Sequence, residues 1–277
     1  PTRSTLGVAL TATVLVALGG IVVNRAYVSE TLTLKASAAK SAGVFDEAWS
    51  MASTARQLGV FDYKHLAHLS EVALTMGHRD STYQICREAV SRHPNSVNNL
   101  LGLGRVGALV GEYDVAVDAY KRALLIRPDR FILFKELGDT FERIGRYQDV
   151  LKTYKQAQSH GHSTPSVLCK SGEMHFQLGE LDQALAYFKR AQELQSDYAR
   201  AVFGIGNVQL VLGEQEAAIH AYRTGLDLEG DNAKAHYILA TLYISQGKRS
   251  IAVGHLRAAL VNTEDEALLK EIHSLLE

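Results

Sequence analysis

Apolar residues recur at helical spacing in pairs of short stretches, and a glycine separates the two members of each pair. In residues 97–130, which read VNNLLGLGRVGALVGEYDVAVDAYKRALLIRPDR, Leu100, Leu103, Gly104 and Gly107 share one face of a first stretch, and Ala116, Tyr120, Ala123 and Leu124 share one face of a second. Recurrence at three and four residues predicts two amphipathic helices. Gly111 stands between them, where a glycine ends the first helix in a left-handed conformation that a side chain penalises. Shifting the frame by 34 residues returns the same punctuation at Gly43, Gly77, Gly145, Gly179, Gly213 and Gly247. A fixed period of this size predicts a stack of like helical hairpins, each burying its apolar face on the next.

The hairpins predict their own packing. The eighth place of the unit holds Ala36, Ser70, Gly104, Gly138, Gly172, Gly206 and Ala240, and the twentieth holds Ala48, Thr82, Ala116, Val150, Ala184, Ala218 and Ala252. The twenty-seventh is small as well, from Ala55 through Gly225 to Ala259, and three places before it stands a large residue: Tyr120, Tyr154, Phe188, Tyr222 or Leu256. Small residues let helix axes approach, and the large one fills the gap between neighbouring units.

These residues resemble the tetratricopeptide repeat. The family's small, small, large, small and proline signature is best kept as Gly104, Ala116, Tyr120, Ala123 and Pro128. The family's tryptophan is replaced by Leu66, Leu100, Phe134 or Leu168, its closing proline survives as Pro94 and Pro128, and the first unit has Ala52 where the large residue belongs. The resemblance implies an all-α, right-handed superhelical solenoid of seven helix-turn-helix repeats, at 29–62, 63–96, 97–130, 131–164, 165–198, 199–232 and 233–266. After Thr263 to Glu266, Leu268, Leu269, Ile272, Leu275 and Leu276 share a face, so residues 267–277 are expected to form a capping helix over the last apolar surface.

Residues 1–28 are expected to form a tail and membrane anchor. Residues 5–23, TLGVALTATVLVALGGIVV, carry no charge, and a helix of 19 residues reaches roughly 28 Å, close to the thickness of a bilayer's hydrocarbon layer. The run is long for a secretory signal core, and Asn24-Arg25-Ala26 makes a poor cleavage site, so an uncleaved transmembrane helix is the expectation. Arg25, Lys35 and Lys40 after the span outweigh Arg3 before it by a small margin, which leans the repeats towards the cytoplasmic side. The expected location is a single-pass protein of a bacterial inner membrane, with the side otherwise undecided.

Composition narrows the partners only by exclusion. A net charge of -1 and a pI near 7.0 lack the basic face of a general nucleic-acid binder. Cys86 and Cys169 fall in the second and fifth repeats, too far apart to pair in an array with neighbours-only contacts. Gly102-x-Gly104-x-x-Gly107 matches a dinucleotide fingerprint, but it lies inside a predicted helix instead of after a strand, so no nucleotide is expected. Ser37-x-x-Lys40 lacks the companion motifs of its enzymes. His65 with His68, and His160 with His162, have ligand spacing without a third ligand, and no nucleophile and base come together. No enzyme activity, metal or cofactor is expected.

In the family the first helix of each repeat lines the concave face, with its second, fifth, ninth and twelfth places in the groove. Carried over, this implies partner-binding residues Arg200, Phe203, Asn207, Leu210, Lys234, Tyr237, Thr241 and Ile244, an apolar floor with a cationic edge. Repeats four and five offer a mixed-charge wall of Lys135, Asp139, Glu142, Cys169, Glu173 and Phe176. Such a surface suits an extended or helical segment of another protein bearing apolar and acidic side chains. The family's carboxylate clamp is not supplied: Lys135 is followed at the ninth place by Asp139, and Asn207 is preceded at the fifth by Phe203. The expected function is a membrane-anchored scaffold that recruits or assembles partner proteins. The alternatives are a permanent accessory subunit of a membrane complex, or a non-catalytic regulatory subunit of a membrane enzyme.

Overall fold

The structure is a computed structural model and describes residues 27–57 and 73–276. All regular structure among the described residues is helical: α1 (27–41), α2 (Phe45–Gln57), α3 (73–75), α4 (Arg79–Arg92), α5 (Val97–Val110), α6 (Tyr113–Ile126), α7 (Phe131–Arg143), α8 (Tyr147–Ser159), α9 (Pro165–Gln177), α10 (Leu181–Leu194), α11 (Ala199–Val211), α12 (Gln215–Leu228), α13 (Ala233–Ser245), α14 (Arg249–Val261) and α15 (Glu266–Leu276). The seven glycines of the 34-residue period all have positive φ, between +71° and +89°, as does Gly161, which turns the chain after α8. Local chemistry fixes several starts. Ser96, Thr164 and Asn232 each accept a hydrogen bond from the backbone N–H three residues on, and Pro165 opens α9 where no amide is needed.

No helix of the described residues is long and apolar enough to cross a membrane. Residues 5–23, Leu66 and the pair His65 and His68 lie outside the described residues.

The chain divides into two compact units, residues 1–140 and 141–277. In the first, Ala36, Ala52, Ala73, Ile85 and Ala89 form a buried cluster with Trp49 and Met51 packed against it. Small residues dominate this cluster because Ala52 occupies the position of the large residue, and Trp49 supplies aromatic bulk beside it. The Ser29 hydroxyl donates to the carbonyl of Ala55, tying α1 to α2. The Asn99 amide donates to the carbonyl of Ala89 at 3.1 Å, tying α5 to α4.

Ring against glycine is the recurring contact in both units. Tyr120 of α6 is fully buried, and a Cβ placed on Gly104 of α5 would lie 2.4 Å from its ring. In the second unit the Phe188 ring of α10 closes on two glycines at once: a Cβ would approach it to 2.9 Å from Gly172 of α9 and to 2.5 Å from Gly204 of α11. Phe203 of α11 fills the space that a Cβ on Gly225 of α12 would need. Gly204, a glycine inside a helix, is therefore required by its neighbour. Gly102, at the same place of its repeat, would meet only Cys86 Sγ at 3.9 Å, an ordinary contact. The stack ends on Ile272 of α15, buried with Leu239, Ala240 and Leu256.

Substitution should separate these glycines. Gly104→Ala is expected to destabilise the chain by about 1–3 kcal/mol, because the Tyr120 ring has to move. Gly254→Ala, at an exposed position of α14 with nothing within 4 Å, should stabilise it by about 0.5–1 kcal/mol. Urea denaturation of the two variants checks the opposed signs.

Candidate functional site

The second unit carries a groove of about 530 Å³ between α9, α11 and the start of α13. Phe176, Phe203 and Leu210 form its apolar side, and Glu173, Arg200, Asn207, Glu229 and Lys234 its polar side. Gly204 lets the Phe188 ring form part of the floor. Phe203 is held by its contact with Gly225, which leaves one edge of the ring on the groove and 9% of the residue exposed. Asn232 accepts from the Ala235 N–H at 3.0 Å, and this cap sets Lys234 in the first turn of α13.

Two of the groove's four charged residues pair with each other. Arg200 donates from Nε to Glu173 Oε1 at 2.6 Å and from Nη2 to Glu173 Oε2 at 2.8 Å, a two-pronged bond of the strong kind. Glu173 raises the Arg200 pKa further, so the guanidinium stays charged and committed. Lys170 bonds Glu142 at 2.6 Å and lies 3.6 Å from Glu173, extending the row. Lys234 makes no ion pair among the described residues and is exposed. The Tyr222 hydroxyl donates to Asn207 Oδ1 at 2.6 Å, and burial pushes its pKa up to about 12.

Of the eight residues expected to bind a partner, the groove brings together Arg200, Phe203, Asn207, Leu210 and Lys234. It does not include Tyr237, Thr241 or Ile244. Tyr237 packs on the terminal cluster, and burial, joined by a hydrogen bond to Glu271 of α15, raises its hydroxyl pKa. The Thr241 hydroxyl donates to the carbonyl of Ile238, and Ile244 lies exposed on the last turn of α13. Glu173 and Phe176 of the expected wall do line the groove. Cys169 is fully buried instead, and desolvation lifts its thiol to about 12. Lys135 and Asp139 pair with each other at 2.7 Å in the first unit.

Rules about helix faces do not reach Glu229 and Asn232, which line the groove from the α12–α13 connection. Gly204 does have a sequence signal: a glycine inside a helix costs about 1 kcal/mol and asks for a reason. Gly102, Gly104 and Gly107 all lie within α5, away from any helix start. Among the described residues no group of three or more His, Cys, Asp or Glu is placed to hold a metal ion. His160 Nδ1 sits 2.8 Å from the carbonyl of Gln156.

Comparison with known proteins agrees with this architecture. The tetratricopeptide repeat family profile matches residues 135–199, 169–227 and 203–267, so this part of the chain, which contains the whole groove, carries tetratricopeptide repeats. The solved structure of the MamA protein is 26% identical, with a TM-score of 0.51 over 62% of this chain and 93% of that one. A tetratricopeptide repeat protein from Parabacteroides merdae is similar in fold at 14% identity, with a TM-score of 0.66, covering 90% of this chain and 98% of that one. The C-terminal part of a repeat-containing protein from Cytophaga hutchinsonii reaches a TM-score of 0.67 at 12% identity, covering 88% and 99%. No curated protein matches the sequence. Proteins built of these repeats mediate protein–protein interaction and assembly and are in general non-catalytic.

The bond that fixes Asn207 has a pH signature. Between about pH 10 and 12 the folded state keeps the Tyr222 proton that the unfolded chain releases, so stability falls as pH rises through this window. At about pH 8, Tyr222→Phe should cost about 1 kcal/mol for the lost hydrogen bond. That deficit should shrink at about pH 11, as measured by urea denaturation at the two values.

Proposed function

We propose that the chain is a membrane-anchored scaffold that recruits or assembles other proteins through the groove of α9, α11 and α13. The carrying observation is an apolar side of Phe176, Phe203 and Leu210 facing a polar side that includes the exposed Lys234, in one groove of a repeat array. An apolar side chain that becomes buried there gains about 1.5–3 kcal/mol, enough for one or two anchors to hold an extended or helical segment with apolar and acidic residues. The uncharged residues 5–23 support attachment to a membrane, and the basic residues after them support a cytoplasmic location for the repeats, at a bacterial inner membrane. The groove needs neither nucleotide nor metal for this work.

A photoreactive amino acid at Leu210, in membranes of the native host, tests the groove. A discrete protein adduct is expected, lost when Val211, exposed on the groove wall, becomes glutamate. Adducts to this chain alone, or none, would sink the reading. Extraction at high pH tests the anchor separately: the full chain should stay with the membrane pellet, and a chain lacking residues 5–23 should leave it.

A further inference from the structure

We infer that Lys234 and Asn207 form a subsite for one carboxylate, supplied by an acidic side chain of a partner protein's segment whose neighbouring apolar residue lies on Phe203 and Leu210. The inference rests on the groove being a protein-binding surface and says what the groove selects.

The repeat itself supplies the comparison. Glu173 and Arg200 occupy the ninth place of one repeat and the second place of the next, 27 residues apart, and are joined by two hydrogen bonds. One repeat further on, the same two places hold Asn207 and Lys234. The cation is kept and the carboxylate has become an amide. The Asn207 carbonyl oxygen accepts from the Tyr222 hydroxyl, which orients the amide and leaves both of its N–H₂ hydrogens to offer. Lys234 offers an ammonium that no carboxylate of the described residues pairs. Both side chains are exposed and both line the groove. At these two places the step therefore presents an unpaired ammonium and an amide N–H₂ where the preceding step presents a closed pair.

Arg200 cannot serve the same ligand without giving up Glu173. Glu229 lines the groove as well, from the α12–α13 connection, and makes no ion pair with Lys234. A carboxylate bound at Lys234 and Asn207 would sit where Glu173 sits one repeat earlier and make charge-assisted bonds of the same kind. An amide in its place would meet the ammonium with a neutral oxygen only, so the subsite discriminates charge as well as shape.

The test uses fluorescent eight-residue peptides carrying a Leu-Glu or Phe-Glu pair, their glutamine counterparts, and the full chain in mild detergent, with binding read by anisotropy. The glutamate peptides should bind about tenfold more tightly, the worth of one hydrogen bond to a charged group. Lys234→Met should erase the difference, with the glutamate peptides losing far more affinity than the glutamine peptides. Asn207→Asp should do the same by restoring the internal pair that Glu173 and Arg200 make. Equal binding of the two peptide sets to the unaltered chain, or a preference that survives Lys234→Met, overturns the carboxylate subsite and leaves the groove standing. Failure of every peptide overturns both. Self-association in sedimentation, abolished by Lys234→Met, would assign the subsite to a second copy of the chain and overturn the partner assignment.

Discussion

The described structure depends on aromatic rings closing on helix surfaces that have no side chain. Tyr120 on Gly104, Phe188 on Gly172 and Gly204, and Phe203 on Gly225 are all closer than any Cβ permits. Each contact brings two helix axes together and buries a large apolar surface, which is how a hairpin too small to have a core of its own obtains one. Where the ring is missing, at Ala52, the cluster is four alanines and Ile85, and Trp49 packs against it from a different position. The glycines that turn the chain and the glycines that receive rings have different tasks. The first need a backbone conformation, the second need empty space.

This division explains why the groove lies where it does. Gly204 removes a side chain from the middle of α11, and the Phe188 ring enters from the preceding hairpin to become part of the floor. Phe203, one residue earlier, reaches the next hairpin and leaves only an edge on the groove. The groove is thus a by-product of packing between successive repeats, and its polar side is set by which charges happen to find partners across the same steps. Glu173 and Arg200 cancel each other, whereas Asn207 and Lys234 do not.

Period, turn positions and the small-against-large contacts were legible in the sequence because each is a one-residue property repeated every 34 residues. Five of eight expected binding residues converge for the same reason: they sit at fixed places on like helices. Tyr237 was legible as a residue of the helix face but not as a partner of Glu271, since that contact comes from α15, which follows no repeat register. The cationic edge expected at Arg200 was legible as charge, and its neutralisation was not, because an ion pair depends on side-chain geometry between helices. Glu229 and Asn232 come from a connection, where helical periodicity says nothing.

Phe188 is gripped by the helix of its own hairpin and by the first helix of the next. An array of this kind behaves as a row of coupled units, in which the link between neighbours decides how far a local opening spreads. With a single ring serving as both the internal contact of one unit and the link to the following one, fraying cannot stop between them. The α9–α10 and α11–α12 hairpins therefore melt or hold as a pair, and with them the apolar side of the groove.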